Sequence, residues 1–198
     1  MDAMRFAHQF FHFHWEQWSA LSNLPQEELL QKLFREDRFP RRRLKAAEYL
    51  SFREAVEEFS RVEAWETQCG LRSVPIHSAH YPQALVSHLP MERRPVYLHL
   101  RGKDLPEEKE LLAVVGTRNP SRFGRETASG FAAFFSMMNL RVISGLAKGV
   151  DTLAHRENLR LGTVAVLGGG IDDVYPAENQ CLAEQILADG GTLLSPYP

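Results

Sequence analysis

Two short segments combine glycine, a hydroxyl and a cation, the parts from which phosphate cradles are built. They are Gly116-Thr117-Arg118-Asn119-Pro120-Ser121 and Ser144-Gly145-Leu146-Ala147-Lys148-Gly149. A third segment, Gly168-Gly169-Gly170, offers bare backbone. Glycine lets a chain approach a phosphate closely and leaves N–H groups free to point at it. Arg118 supplies a planar fork for two oxygens, and Lys148 a point charge. Taken singly, each loop also reads as an ordinary strand-to-helix turn. Three at one sheet edge, with Arg118 and Lys148 among them, favour a phosphate site.

Other chemistries find fewer footholds. No G-x-G-x-x-G follows the strand before Gly116, and no G-x-x-x-x-G-K-[ST] occurs, so the nicotinamide fingerprint and the P-loop are both missing. Neither H-E-x-x-H nor G-x-S-x-G is present. Asp151 and His155 stand four apart at a helix start, a spacing suited to sharing a metal or a proton. The simpler assignment has Asp151 capping the helix and His155 packing or pairing with it. His8 and His12 repeat the spacing without an acidic or thiol partner, and read as helix surface. A basic cluster (Arg35, Arg38, Arg41, Arg42, Arg43, Lys45) reads equally as a solvated face or a DNA contact. No catalytic residue, metal or cofactor is assigned.

The elements that must position the glycine loops follow a regular alternation. Strands are expected at Leu112 to Val115, Arg141 to Ile143, Val164 to Leu167 and Thr192 to Leu194. Helices are expected between them at Arg122 to Met138, Thr152 to Leu161 and Ala177 to Ala188. Strand, helix, strand, repeated, means a parallel sheet with crossover helices. Near-continuous apolar strands suit a sheet covered on both faces, and right-handed crossovers lead to a doubly wound, Rossmann-like sheet. The glycine loops then lie beyond the C-terminal strand ends, where such sheets bind ligands. Before this region, Val74-Pro75-Ile76 is a short extended candidate, Tyr81-Pro82 enters a short helix, and Pro95 to Leu100 is a strand closed by Arg101-Gly102.

The first part is helical in pattern. Phe6, Phe10, Phe11, Phe13, Trp15 and Trp18 crowd one segment, and three more helices are expected up to Trp65, the last opening on the capping box Ser51-Phe52-Arg53-Glu54. The fold class is therefore α/β, a Rossmann-like, mainly parallel sheet preceded by a small all-helical domain. The boundaries are 1–70 and 71–198.

The chain has 198 residues and a formal net charge of −2, which excludes a protein coated in positive charge. The charge is polarised along the sequence. From Arg118 to Arg160, seven basic residues face three acidic, a net of +4; from Leu161 onward five acids stand without a Lys or Arg, a net of −5. Cys69 and Cys181, far apart, suggest a reduced, cytoplasmic chain. No apolar run reaches the ~18 residues of a membrane span, and no signal peptide is seen.

In serial order, several blocks make the sequence resemble the DprA/Smf family of bacterial DNA-processing proteins. They are Tyr81-Pro82 with Leu85, Val96-Tyr97-Leu98 with Arg101-Gly102, and Val114-Val115-Gly116-Thr117-Arg118 with Gly124. They continue with Ser144 to Asp151, Ala154-His155, Ala165 to Gly170 with Asp172, and Tyr175-Pro176 with Asn179. The resemblance runs from about Ile76 to the last residue. It implies a DNA-binding module, not an enzyme, that takes single-stranded DNA on a Rossmann-like domain and helps load the recombinase RecA in natural transformation. The site residues it implies are Gly116, Thr117, Arg118, Ser144, Gly145, Lys148, Gly149 and Asn179. It also implies a homodimer.

Thr117 stands where the family has Ser, and Pro196 where it has Glu. The chain stops at Pro198, whereas the family continues with a Phe-Pro-x-Arg-Asn-type block, so a C-terminally truncated member is expected. Two other classes stay open. One is a nucleotide hydrolase or transferase related to the nucleotide phosphoribohydrolases, with Asp151 and Asp172 as the nearby carboxylates. The other is a partner-binding module docked through the N-terminal helices.

Overall fold

The structure, a computed structural model, describes residues 61, 64–76, 78–106 and 108–197. The expected N-terminal helices, the His8/His12 pair and the Arg35-to-Lys45 cluster lie outside these residues, apart from helical residues at 61 and 64–68. The chain divides into two compact units, Met1–Gln68 with Gln83–Tyr97, and Cys69–Pro82 with Leu98–Pro198. In the first, Gln83–His88 forms a short helix, α1, followed by a 3-10 turn at Met91–Arg93.

The second unit is built on one six-stranded sheet. Its strands are β1 (Leu71–Pro75), β2 (Tyr97–Gly102), β3 (Leu111–Ala113), β4 (Arg141–Ser144), β5 (Val164–Val166) and β6 (Thr192–Ser195), in the order β1-β2-β6-β5-β4-β3. The pairs β3/β4, β4/β5 and β5/β6 are parallel, and β2 runs antiparallel to β6 with His99 opposite Ser195. The helices α2 (Arg122–Met137), α3 (Val150–Asn158) and α4 (Gln180–Ala188) are the three crossovers.

These three crossovers all step the same way along the sheet, so right-handed connections place α2, α3 and α4 on one face. The strand order does not reverse between β3 and β6. The doubly wound arrangement expected from the alternation is therefore replaced, in this region, by a single winding. Burial follows position in the sheet. Central β6 is buried along its whole length, whereas edge strand β3 is half-buried to exposed. Continuous apolar character thus reports two-sided cover only in the middle of the sheet.

Local chemistry explains the boundaries. Ser121 caps α2 by accepting from the Gly124 N–H at 3.1 Å. Ala132 of α2 and Ala154 of α3 pack with Val142 of β4, small side chains that let two helices and a strand approach closely. The main core joins Leu146, Ala165, Leu167, Ile171 and Leu193 to Leu182, Ala183 and Ile186 of α4. Asn158, at the end of α3, is fully buried. Its Oδ1 accepts from Val142 N at 2.8 Å and its Nδ2 donates to the Leu140 carbonyl at 3.1 Å, fixing α3 to the start of β4. Among the described residues no helix is long and apolar enough to cross a membrane. Cys69 and Cys181 are free thiols.

Candidate functional site

The loops after β3, β4 and β5 meet at the C-terminal edge of the parallel strands. The loop after β3 is held to the start of α3 by a bond from Val150 N to the Thr117 carbonyl, 3.2 Å. Two glycines make that approach feasible. Gly149 adopts φ +81°, ψ −123°, and a Cβ there would lie 2.3 Å from the Thr117 carbonyl oxygen. A Cβ on Gly116 would lie 2.7 Å from the Val150 side chain. Thr117 Oγ1 accepts from Asn119 N at 3.2 Å and tightens the turn that presents Arg118.

The loop after β4 is braced from three sides. The Asp151 carboxylate accepts from Gly145 N at 3.1 Å and from Ala147 N at 3.4 Å. Asp151 sits in the first turn of α3, after the capping position Gly149, so it caps the preceding loop and not its own helix. Asn179 is buried, and its Nδ2 donates to the Leu146 carbonyl (2.8 Å), the Thr152 hydroxyl (2.9 Å) and the Ala147 carbonyl (3.3 Å). Leu146 holds φ +57° within this brace. Ser144 is buried and its hydroxyl donates to the Val114 carbonyl at 2.6 Å.

His155 belongs to the same framework. Thr163 Oγ1 spends its proton on the Val142 carbonyl at 2.6 Å, so it accepts from His155 Nδ1 at 2.8 Å. That fixes the Nδ1–H tautomer and leaves Nε2 buried without a hydrogen-bond partner among the described residues. Burial lowers the His155 pKa from 6.5 to about 4, against the opposing influence of the Asp151 charge and the Ser144 backbone. His155 is a neutral core residue. It pairs with Thr163 by hydrogen bond, not with Asp151. Among the described residues no group of three or more His, Cys, Asp or Glu comes together to hold a metal.

A cavity of about 490 Å³ opens between these loops. Arg118, Gly145 and Lys148 line it, with Val166, Leu167, Gly168 and Gly169 beneath and Asp173, Tyr175 and Pro176 along one wall. The Tyr175–Pro176 peptide is cis, and Tyr175 is largely exposed. Of the eight residues expected at a phosphate site, Arg118, Gly145 and Lys148 thus face the cavity. Gly116, Thr117 and Gly149 shape the junction of two loops, while the Ser144 and Asn179 side chains are spent on internal hydrogen bonds. Arg118 makes no hydrogen bond or ion pair among the described residues, so its guanidinium is free for a ligand.

The sequence reading missed the acidic side of the site. Asp173 lines the cavity, and Glu178 pairs with Lys148 at 2.6 Å. Both come from the acidic C-terminal stretch, which folds back onto the basic segment. The basic segment is itself divided. Arg156 and Arg160 line a separate cavity with Ala133 and Met137, Arg122 pairs with Glu126 at 2.9 Å, and Arg125 donates to the Pro120 carbonyl at 2.8 Å.

Comparison with known proteins bears on the fold and the family. The DNA processing protein DprA of Bacillus subtilis (strain 168) is 30% identical over 165 residues, 80% of this chain and 53% of that protein. The chain thus spans about half the length of that curated relative. The X-ray structure of DprA from Streptococcus pneumoniae superposes with a TM-score of 0.53 and 25% identity, covering 94% of this chain and 68% of that one. The DNA processing protein A of Helicobacter pylori shares the fold, with a TM-score of 0.51 and 23% identity over 64% of this chain and 55% of that one. Residues 72–198 match the model of the DNA recombination-mediator protein A family, and the chain belongs to that family.

Proposed function

We propose that this chain binds single-stranded DNA through its phosphates, at the cavity between the loops after β3, β4 and β5. The observation that carries the reading is the convergence of Arg118, unpaired among the described residues, with Lys148 and the Gly168-Gly169 backbone on one cavity at the parallel strand ends. Two cations a loop apart suit successive phosphates, and contacts of this kind give affinity without base choice. Tyr175, exposed on the cavity wall, has a ring face available for stacking. The H. pylori relative is a single-stranded DNA binder, which supports carrying that ligand over. On this reading the eight residues carried from the family divide into ligand contacts (Arg118, Lys148), a cavity-lining glycine whose N–H is held by Asp151 (Gly145) and positioning residues (Gly116, Thr117, Ser144, Gly149, Asn179).

The role is binding and not catalysis. It belongs to DNA recombination and natural transformation in the cytoplasm, with RecA as the downstream partner and a homodimer as the working form. Fluorescence anisotropy of labelled oligo-dT across a salt series tests it. Binding that weakens steeply with salt, prefers single strands to duplex, and disappears in Arg118→Ala/Lys148→Ala is expected. Unchanged binding in that double variant would remove the assigned site.

One observation favours a second reading. Asp173 puts a carboxylate on the cavity wall, as a hydrolase or transferase acting on a nucleotide needs, whereas Asp151 is occupied by two backbone amides. Incubation with nucleoside monophosphates separates the two, since only the enzyme would release free base.

A further inference from the structure

We infer that Glu178 is a built-in competitor for Lys148, an affinity-setting residue that a DNA phosphate must displace. The inference rests on the phosphate-binding reading above. Glu178 Oε2 lies 2.6 Å from Lys148 Nζ, and both side chains are at least half exposed. An exposed pair of this kind is ordinarily weak and averaged over many rotamers. Here the backbone under each partner is fixed. Glu178 lies in the 3-10 turn Ala177–Asn179, and the next residue, Asn179, is bonded to the carbonyls of Leu146 and Ala147. Ala147 directly precedes Lys148. One side chain therefore binds the turn that carries the carboxylate to the loop that carries the ammonium.

The consequence is electrostatic. With Glu178 in place, Lys148 reaches the cavity already neutralised, and among the described residues Arg118 is the cavity cation left without a partner. A phosphate oxygen arriving at Lys148 exchanges one anion for another, so the interface gains no net positive charge there. The pair holds affinity below what two free cations would give and keeps Lys148 exchangeable. Removing the carboxylate charge while keeping its shape frees one cation for the ligand.

The test uses oligo-dT anisotropy across a salt series with the whole chain, comparing wild type, Glu178→Gln, Glu184→Gln, Lys148→Ala and Lys148→Ala/Glu178→Gln. Glu184 is paired with Arg101 at 3.3 Å and is not among the cavity residues, so its variant makes the same change in net charge elsewhere. Glu178→Gln is expected to bind about two- to fivefold tighter at low salt. Its log K against log salt slope should steepen by ~0.7, the increment for one more phosphate contact on a single strand. Glu184→Gln should match wild type, and the gain should vanish when Lys148 is also removed. Equal affinity and slope in wild type and Glu178→Gln would overturn the inference and leave the binding reading intact. So would an equal gain in Glu184→Gln, or a gain that survives Lys148→Ala. Absence of oligo-dT binding by both folded wild type and Glu178→Gln would overturn the inference together with the reading beneath it.

Discussion

Replacing Gly149 by alanine should damage the site more than any other single methyl group added to these loops. Gly149 sits at φ +81°, ψ −123°, backbone that an L side chain rarely adopts. That conformation costs a non-glycine residue about 1–3 kcal/mol. The new Cβ would also lie 2.3 Å from the Thr117 carbonyl oxygen and 2.7 Å from the carbonyl carbon and oxygen of Arg118. These are backbone atoms, so relief requires the loop itself to move, with an overpacking cost of about 1–3 kcal/mol. The sum, roughly 2–6 kcal/mol, is a large share of the ~5–15 kcal/mol that holds a typical domain together. The movement would also break the bond from Val150 N to Thr117 and carry Arg118 away from Lys148. Urea denaturation with matched oligo-dT binding measures both effects. Gly130→Ala is the control. A Cβ there meets nothing within 4 Å in the interior of α2, so it should stabilise by about 0.5–1 kcal/mol. A Gly149→Ala protein within 0.5 kcal/mol of wild type, with unchanged binding, would refute the packing of the two loops.

Two further outcomes follow from the buried polar framework. The folded-state pKa of His155 lies near 4, below its ordinary 6.5, so the unfolded chain binds the proton more tightly. Stability from this group is complete above pH 6.5 and is lost as pH falls toward 4, by on the order of 3 kcal/mol. His155→Gln, less stable at every pH, should lose that slope in urea melts between these values; parallel pH profiles for both proteins would contradict the assignment. Asn179→Ala removes the donor to the Leu146 carbonyl and should cost about 1–3 kcal/mol of stability, read by thermal or urea unfolding. Full stability with lost DNA binding would show instead that this amide contacts the ligand.

Much of the fold was legible because it rests on local pattern. The apolar runs at Leu112, Val142, Val164 and Leu193 all fall in or beside the parallel strands, and Ser121 marks the start of α2. Small differences at the ends have plain causes. The helix expected from Ala177 opens as a 3-10 turn before α4, and α3 ends in one at Leu159–Leu161. The single winding was hidden because strand order depends on which edge each crossover chooses, and hydropathy is the same for either choice. In the site, the glycines and cations were readable by type. What each side chain spends itself on was not, because those partners come from far along the chain. Ser144 reaches Val114, Asn179 reaches Leu146, and Glu178 reaches Lys148. The charge split between the basic and acidic stretches was visible, but the fold folds one onto the other at the cavity.

The most direct test of the central claim is where a single strand touches the protein. An oligo-dT carrying a photoreactive thymine, crosslinked to the whole chain and mapped by mass spectrometry, reports that position without a substitution. Crosslinks at Arg118, Lys148 or the Gly168-to-Tyr175 wall, lost in excess unlabelled oligo-dT, are the predicted result. Crosslinks confined to the cavity of Arg156 and Arg160, or to residues away from the parallel strand ends, would contradict it.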